Sequence, residues 1–193
     1  MEGPFLIVGL GNPGPAYRLS RHNAGAWVVR QLARRKDIRW GQWIGLCPGG
    51  EGWWEGRPVV LGVPRTYMND SGRAVAALRA RWPVPLDQLL VVCDDVALPF
   101  GMVRIRPRGS DGGHKGLRSL GEALGSTAFP RLRIGIGAPD IPEALEAFVL
   151  SPFSRRECER LPQVLEMAAT ACAMWLREGM AAAMNRYNRK VRR

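Results

Sequence analysis

Histidine is the scarcest functional side chain here: only His22 and His114 occur in 193 residues. A mechanism that needs a group titrating near neutral pH must draw on one of those two positions. Lysine is nearly as rare, at Lys36, Lys115 and Lys190 alone. The four cysteines (Cys47, Cys93, Cys158, Cys172) are scattered and form no C-x-x-C pair. That spacing argues against a disulfide framework or a zinc site and fits the reduced thiols of a cytoplasmic protein. No stretch approaches the roughly 20 apolar residues of a spanning helix. The first ten residues lack a basic region, and glycine and proline interrupt their apolar run, so they do not read as a signal peptide. No G-x-S-x-G occurs, which removes the nucleophile elbow of serine hydrolases.

What the chain has in excess is arginine. Its 28 Lys+Arg against 17 Asp+Glu give a formal net charge of +11 and a pI near 10.7. Two readings fit that excess, a polyanionic partner or the composition of a high-GC or thermophilic source, and charge alone does not separate them. With 46% hydrophobic and 23% charged residues the chain reads as globular, and its length suits one domain.

Apolar runs at 5–10, 89–93 and 132–136 predict buried strands. Alternation over 102–106 predicts another, with Val103 and Ile105 opposite Arg104 and Arg106. Residues 39–63 read as two antiparallel strands around a Gly-Gly-Glu-Gly break at 49–52. Helical spacing covers 23–35, where Arg34, Arg35 and Lys36 complement the helix dipole. A second helix spans 71–82, capped by Asp70 or Ser71 and stopped by Pro83. A third follows the glycine-rich 109–116 and ends near 124, and two more close the chain near 142–150 and 161–178. Interleaved strands and helices imply a single-domain α/β layered fold over 1–185, with a central mixed β-sheet flanked by helices. Residues 186–193 hold five basic side chains and no acid, and read as a frayed basic tail.

Gly9-Leu-Gly-Asn-Pro-Gly14 has the letters of a dinucleotide-binding loop, but Pro13 and Pro15 bracket Gly14 and the helix begins only at 23. The acid expected about 20 residues on is absent, since that region reads Arg34-Arg-Lys-Asp37. The glycines are better read as bending the backbone to expose Asn12 beyond the first strand. His22 follows shortly, and Asp94 ends another strand. Carboxyl ends of strands converge in such sheets, so Asp94 could reach His22, fix its tautomer and stabilise its charged form. With no serine nucleophile in sight, the histidine would activate water directly. A lone histidine fits a capping or core role as well. Loops at 64–72, with Asn69, and 109–116, with His114 and Lys115, would face the same crevice, the second as an anion cradle. Residues 101–133 hold seven basic side chains (Arg104, Arg106, Arg108, Lys115, Arg118, Arg131, Arg133) against Asp111 and Glu122, which together could form one phosphate-binding surface.

These segments resemble a known family. Val8-Gly-Leu-Gly-Asn-Pro-Gly14 with Tyr17 and Arg21-His-Asn-Ala-Gly25 resembles the amino-terminal signature of bacterial peptidyl-tRNA hydrolases. Thr66-Tyr-Met-Asn-Asp-Ser-Gly72, Asp94-Asp-x-x-Leu-Pro-x-Gly101, Gly112-Gly-His-x-Gly-Leu117 and Arg131-Leu-Arg-Ile-Gly-Ile-Gly137 follow in the family's order. The resemblance implies hydrolysis of the ester between a peptide and the 3′ end of tRNA, by a cytoplasmic monomer without metal or other cofactor. It implies His22 as general base, Asp94 as its support, and Asn12 as selector of substrates with a blocked amino group. Tyr17, Tyr67, Asn69 and Lys115 would contact the peptide and 3′ end, and Arg106 and Arg133 the tRNA phosphates. His114 is expected to be structural. Lys115 stands where the family usually has asparagine, and Ala97 where an acid is usual. An RNA-binding relative without hydrolase activity and an NAD-dependent enzyme are the competing readings.

Overall fold

The most apolar runs form the middle of the sheet. In the computed structural model, which describes residues 3–41, 45–138 and 143–188, β1 (Phe5–Gly9) lies between β3 (Arg57–Gly62) and β4 (Leu89–Pro99), parallel to both. β6 (Arg131–Gly137) pairs parallel with β4. Two antiparallel edge strands, β2 (Gly49–Trp54) and β5 (Val103–Arg106), complete the order β2-β3-β1-β4-β6-β5. The mixed sheet expected from the interleaved pattern is the one observed.

Helices cover both faces, which is why β1 and β4 carry unbroken apolar runs rather than alternation. α1 (Ala24–Arg35) and α5 (Arg155–Tyr187) bury one face, α2 (Ser71–Arg81) and α3 (Lys115–Leu124) the other. The short α4 (Leu145–Leu150) packs on the turn that precedes α1. The chain places β3 on one side of β1 and β4 on the other. A crevice therefore opens beyond the carboxyl ends of β1 and β4, where strand order reverses. Asn12 follows β1 and Asp94 lies in β4, so both stand at its floor.

Several boundaries differ from expectation. The glycines at 49–52 are not a break but the start of β2. A Cβ on Gly49 would come within 1.8 Å of the Leu61 carbonyl oxygen, and one on Gly50 within 2.4 Å of Arg39 O, so these glycines permit close backbone approach. The last helix begins at Arg155 rather than 161, because Ser154 and Glu157 form a capping box. Pro162 lies inside it, and the helical path breaks at Gly179 (φ 85°) before resuming to Tyr187. The helix expected near 142–150 starts at Leu145, and position 142 lies outside the described residues. Arg186 and Tyr187 of the expected tail belong to α5, while 189–193 lie outside the described residues.

Arg131 is the largest departure. It is 1% exposed, so it cannot belong to a phosphate-binding surface. Its guanidinium donates to the carbonyls of Gly109 (2.6 Å), Ser110 (3.1 Å), Thr127 (2.5 Å) and Phe129 (3.2 Å) and stacks 4.4 Å from the Phe129 ring. Burial, then the nearby Arg133 charge, lower its pKa from the ordinary arginine value. Arg131 thus ties the 109–110 loop to the sheet. Arg131→Met would strand the buried Phe129 carbonyl, at about 1–3 kcal/mol, and remove the bonds to the Gly109, Ser110 and Thr127 carbonyls as well. A loss of about 3 kcal/mol or more is expected in urea denaturation, and a shift below about 1 kcal/mol would refute this role.

Candidate active site

The turn carrying His22 is held down by its neighbours. Arg21 donates its backbone N–H to Ser151 O (3.0 Å), and Ser20 bridges to Pro152. The Arg21 side chain is nearly buried, paired through both terminal nitrogens with Glu157 (2.7 and 2.9 Å), and lies over the Phe148 and Phe153 rings at 4.6 and 4.8 Å. Such a bidentate, stacked guanidinium is a geometry lysine does not reproduce. It fastens the His22 turn to α4 and to the start of α5.

His22 Nδ1 lies 2.8 and 2.9 Å from the two Asp94 carboxylate oxygens. Both residues are buried, Asp94 to 1% exposure. Asp94 has a second partner: His114 Nε2 at 3.2 Å. His114 Nδ1 accepts the backbone N–H groups of Gly116 (3.1 Å) and Leu117 (3.3 Å), capping α3. An acceptor at Nδ1 carries no proton, so the His114 proton sits on Nε2 and is donated to Asp94. His22 donates Nδ1–H to the same carboxylate, which leaves its Nε2 lone pair as the proton-accepting atom of the pair. Burial alone would raise the Asp94 carboxyl, but the electrostatic pull of His22 and then of His114, with the hydrogen bonds both make to it, holds it well below the usual carboxylate range. Asp94 is therefore a fixed negative charge beside the imidazole.

A cavity of about 490 Å³ opens over this cluster. Its lining includes Asn12, Tyr17, Tyr67, Asn69, Lys115 and Arg133 besides His22 and Asp94. Of the site residues that the family resemblance implies, only Arg106 is not among them; it is exposed on β5. Arg104, Arg108, Arg118 and Arg131 of the expected phosphate-binding surface do not line the cavity either. Tyr17 and Tyr67 meet edge to face, ring centroids 6.3 Å apart, at the rim. Asn12 Oδ1 accepts the Met68 N–H (2.7 Å), so its amide nitrogen remains as a donor. Asn23 braces that loop, accepting the Asn12 N–H (2.7 Å) and donating to the Asn12 carbonyl (3.1 Å). Lys115 pairs with Glu146 of α4 (3.0 Å), bridging α3 to α4. Arg133 donates to Asp95 (3.1 Å) and to Ser110 O (2.7 Å).

Three features of the site escaped sequence reasoning. His114 does cap a helix, yet it also touches Asp94, and only the folded geometry reveals that double role. Asn23 stands beside His22 in the signature but reads simply as a helix start. Leu145, Val149 and Leu150 of α4 form an apolar wall of the cavity, with no local motif to mark it.

No serine, threonine or cysteine lines the cavity among the described residues. Cys93, next to Asp94, is fully buried, and burial pushes its thiol far above the ordinary value, so it supplies no thiolate. His22, Asp94 and His114 offer three ligand atoms within 4.8 Å of one another, the spacing of a metal site. Those atoms already satisfy each other, and a metal would have to displace both imidazole protons that Asp94 accepts.

The family model for peptidyl-tRNA hydrolase matches residues 6–193. The chain belongs to the peptidyl-tRNA hydrolase family. The family member of Roseiflexus castenholzii is 48% identical over 185 residues, covering 95% of this chain and 86% of its own. That of Salinibacter ruber is 45% identical over 190 residues, covering 97% and 100%. The crystal structure of the peptidyl-tRNA hydrolase from Acinetobacter baumannii superposes with a TM-score of 0.89 at 34% identity, covering 97% of this chain and 96% of that one. Hydrolases of this family thus share both the layered sheet and nearly the whole length of the chain. Among the described residues no helix is long and apolar enough to cross a membrane.

Proposed function

We propose that this chain hydrolyses the ester joining a peptide to the 3′ end of tRNA, releasing free peptide and free tRNA, by direct attack of a water that His22 activates. The observation that carries the reading is a histidine braced by a buried carboxylate whose Nε2 has no hydrogen-bond partner among the described residues, opening into a cavity that, among those residues, no serine, threonine or cysteine lines. His22 Nε2 takes a proton from water as the oxygen adds to the acyl carbon. Asp94 stabilises the imidazolium that forms. The same proton then passes to the departing ribose oxygen, which restores the neutral ring. Base catalysis of this kind supplies roughly 10²–10⁴-fold, so Asn69, Lys115 and loop amides are assigned to the developing oxyanion.

Asn12 gives a physical basis for selecting a blocked amino group. Its oxygen is occupied by Met68, and its amide nitrogen is a donor. A peptide carbonyl next to the first residue accepts from that donor. A free α-ammonium has only donors to offer and leaves the Asn12 amide unpaired. Arg106 is assigned to tRNA phosphate, and Arg133, half spent on Asp95, to the phosphate nearest the cavity. Every residue invoked comes from one chain, so a monomer suffices.

The test is release of amino acid from N-acetyl-aminoacyl-tRNA and from its unblocked counterpart, each with and without chelator. Rapid release from the blocked ester alone, unaffected by chelator, is expected. Failure to release anything from the blocked ester would sink the reading and favour an RNA-binding protein on the same fold. The geometry argues against that alternative, because a pure binding site has no use for an imidazole braced by a buried carboxylate at the cavity floor.

A further inference from the structure

Arg21 immediately precedes the proposed base, yet it takes no part in the cavity lining. Its guanidinium is committed to the segment 148–157. Besides the bidentate pair with Glu157, its Nε donates to Ser151 Oγ (3.4 Å), and its carbon lies 4.6 and 4.8 Å from the Phe148 and Phe153 ring centroids. The main chain is held by the same segment. Arg21 donates its N–H to Ser151 O, and Ser151 donates both its N–H (3.1 Å) and its hydroxyl (2.7 Å) to Phe148 O. Glu157 also accepts the Ser154 N–H (2.7 Å). Burial alone would raise its carboxyl, but the hydrogen bonds from Arg21 and Ser154 bring it below the ordinary value, so the pair stays ionised.

The helix that Arg21 holds has two working sides. Leu145, Val149 and Leu150 of α4 line the cavity, whereas Phe148 does not and packs on the Arg21 guanidinium instead. A helix of six residues has little stability of its own, so its position is set by what it packs against. One short helix therefore touches the substrate space on one side and the residue before His22 on the other. The alcohol half of the ester is ribose and phosphate, polar throughout. The part of the substrate that suits an apolar wall is the side chain of the esterified amino acid.

We propose that Arg21 is a positioning residue that couples the α4 wall to His22, so that an apolar side chain seated on the wall raises kcat as well as affinity. The proposal rests on the reading of the cavity as a site of ester hydrolysis. Phe148, the guanidinium and the Ser151 bonds form one packed path from the wall to the His22 turn, and such contiguous contacts can carry coupling between sites. A filled wall holds α4 down on Arg21 and keeps the imidazole aligned with the acyl carbon. An unfilled wall leaves α4, and with it the turn, free to depart from that alignment. Lysine at position 21 keeps the charge but neither spans both Glu157 oxygens nor stacks on the rings as a planar guanidinium does.

The experiment charges one tRNA body with N-acetyl-leucine or with N-acetyl-glycine and separates kcat from KM for each. For the unaltered chain, kcat for the leucyl ester is expected to exceed that for the glycyl ester by about tenfold, a fraction of what a 1 Å misplacement can cost. In Arg21→Lys that ratio is expected to fall to about two or less, through loss of leucyl kcat. Phe148→Leu removes the stacking and leaves the Arg21–Glu157 pair in place, so it should fold and show the same collapse of the ratio. Thermal unfolding is followed beside it. A purely structural role would lower both esters by one factor along with Tm and leave the ratio as it was. That result in Phe148→Leu, or equal kcat values for the two esters in the unaltered chain, would overturn the proposal. An unaltered chain that released neither amino acid would overturn the hydrolytic reading instead.

Discussion

Replacement of His22 by alanine is expected to lower kcat for N-acetyl-aminoacyl-tRNA by about 10³–10⁴-fold while tRNA affinity stays within about twofold. The same ring serves twice in the proposed mechanism, taking the proton of water and returning it to the ribose oxygen. Both uses vanish together. His114 cannot take over, because its Nδ1 accepts two backbone N–H groups and its Nε2–H is directed at Asp94. That arrangement also makes the experiment clean. Asp94 is buried, and a buried carboxylate stripped of every partner would threaten the fold. In the variant it keeps His114 Nε2 at 3.2 Å, so the chain should fold and bind with its chemistry removed. Single-turnover release measured beside equilibrium tRNA binding checks both halves. More than a tenth of normal release in the variant would show that His22 is not the base.

The sequence displayed the elements of this fold through features whose cause is local. β1 and β4 are apolar runs because helices cover both faces, and β5 alternates because its Val103 and Ile105 face α5 while Arg104 and Arg106 do not. What was not legible has a non-local cause. Gly49 and Gly50 look like chain punctuation, yet their lack of side chain serves a neighbouring strand and the 39 carbonyl. The expected 161–178 helix stops where Gly179 breaks the path, but it starts earlier, at Arg155, where Ser154 and Glu157 close a capping box outside the apolar spacing. Arg131 and Arg133 look like two more surface charges. Only the loop at 109–113, folding over that end of β6, turns one into an interior hydrogen-bond hub and half-buries the other.

The candidate site divides in the same way. Asn12, His22 and Asp94 were legible because strand ends in an α/β sheet converge, so polar residues just past apolar runs become neighbours. The double use of Asp94 was not, since the reach of His114 depends on how α3 packs against the crevice. Nor was the α4 wall, which owes its place to Arg21 and the aromatic rings of Phe148 and Phe153 rather than to any pattern of its own. The excess of positive charge, ambiguous as a total, becomes informative once the arginines used internally are subtracted from those left exposed.

Gly25→Ala should cost activity far more than its single methyl suggests. α1 meets the sheet through glycine: a Cβ on Gly9 would stand 2.3 Å from the Gly25 carbonyl oxygen, and one on Gly25 2.2 Å from the Val92 carbonyl oxygen. That same Val92 oxygen accepts the Leu10 N–H (2.9 Å), and the Leu10 carbonyl accepts the Ala26 N–H (3.0 Å), so the obstacle is backbone held on all sides. The helix start must lift by about 1 Å to reach ordinary contact. Overpacking of this kind costs about 1–3 kcal/mol, or roughly 2–12 °C in Tm for a chain of this size. The catalytic consequence is larger because of where the lift occurs. His22 lies three residues before Gly25, and Asp94 two residues beyond Val92, so the displaced contact sits between the imidazole and its carboxylate. A misplacement near 1 Å can cost about 100-fold in rate. The expected result is a folded variant with kcat down by about that factor and a modest fall in Tm. A variant with unchanged kcat would mean that helix height over β4 does not set the His22–Asp94 geometry, and the two signature glycines would then be packing residues only.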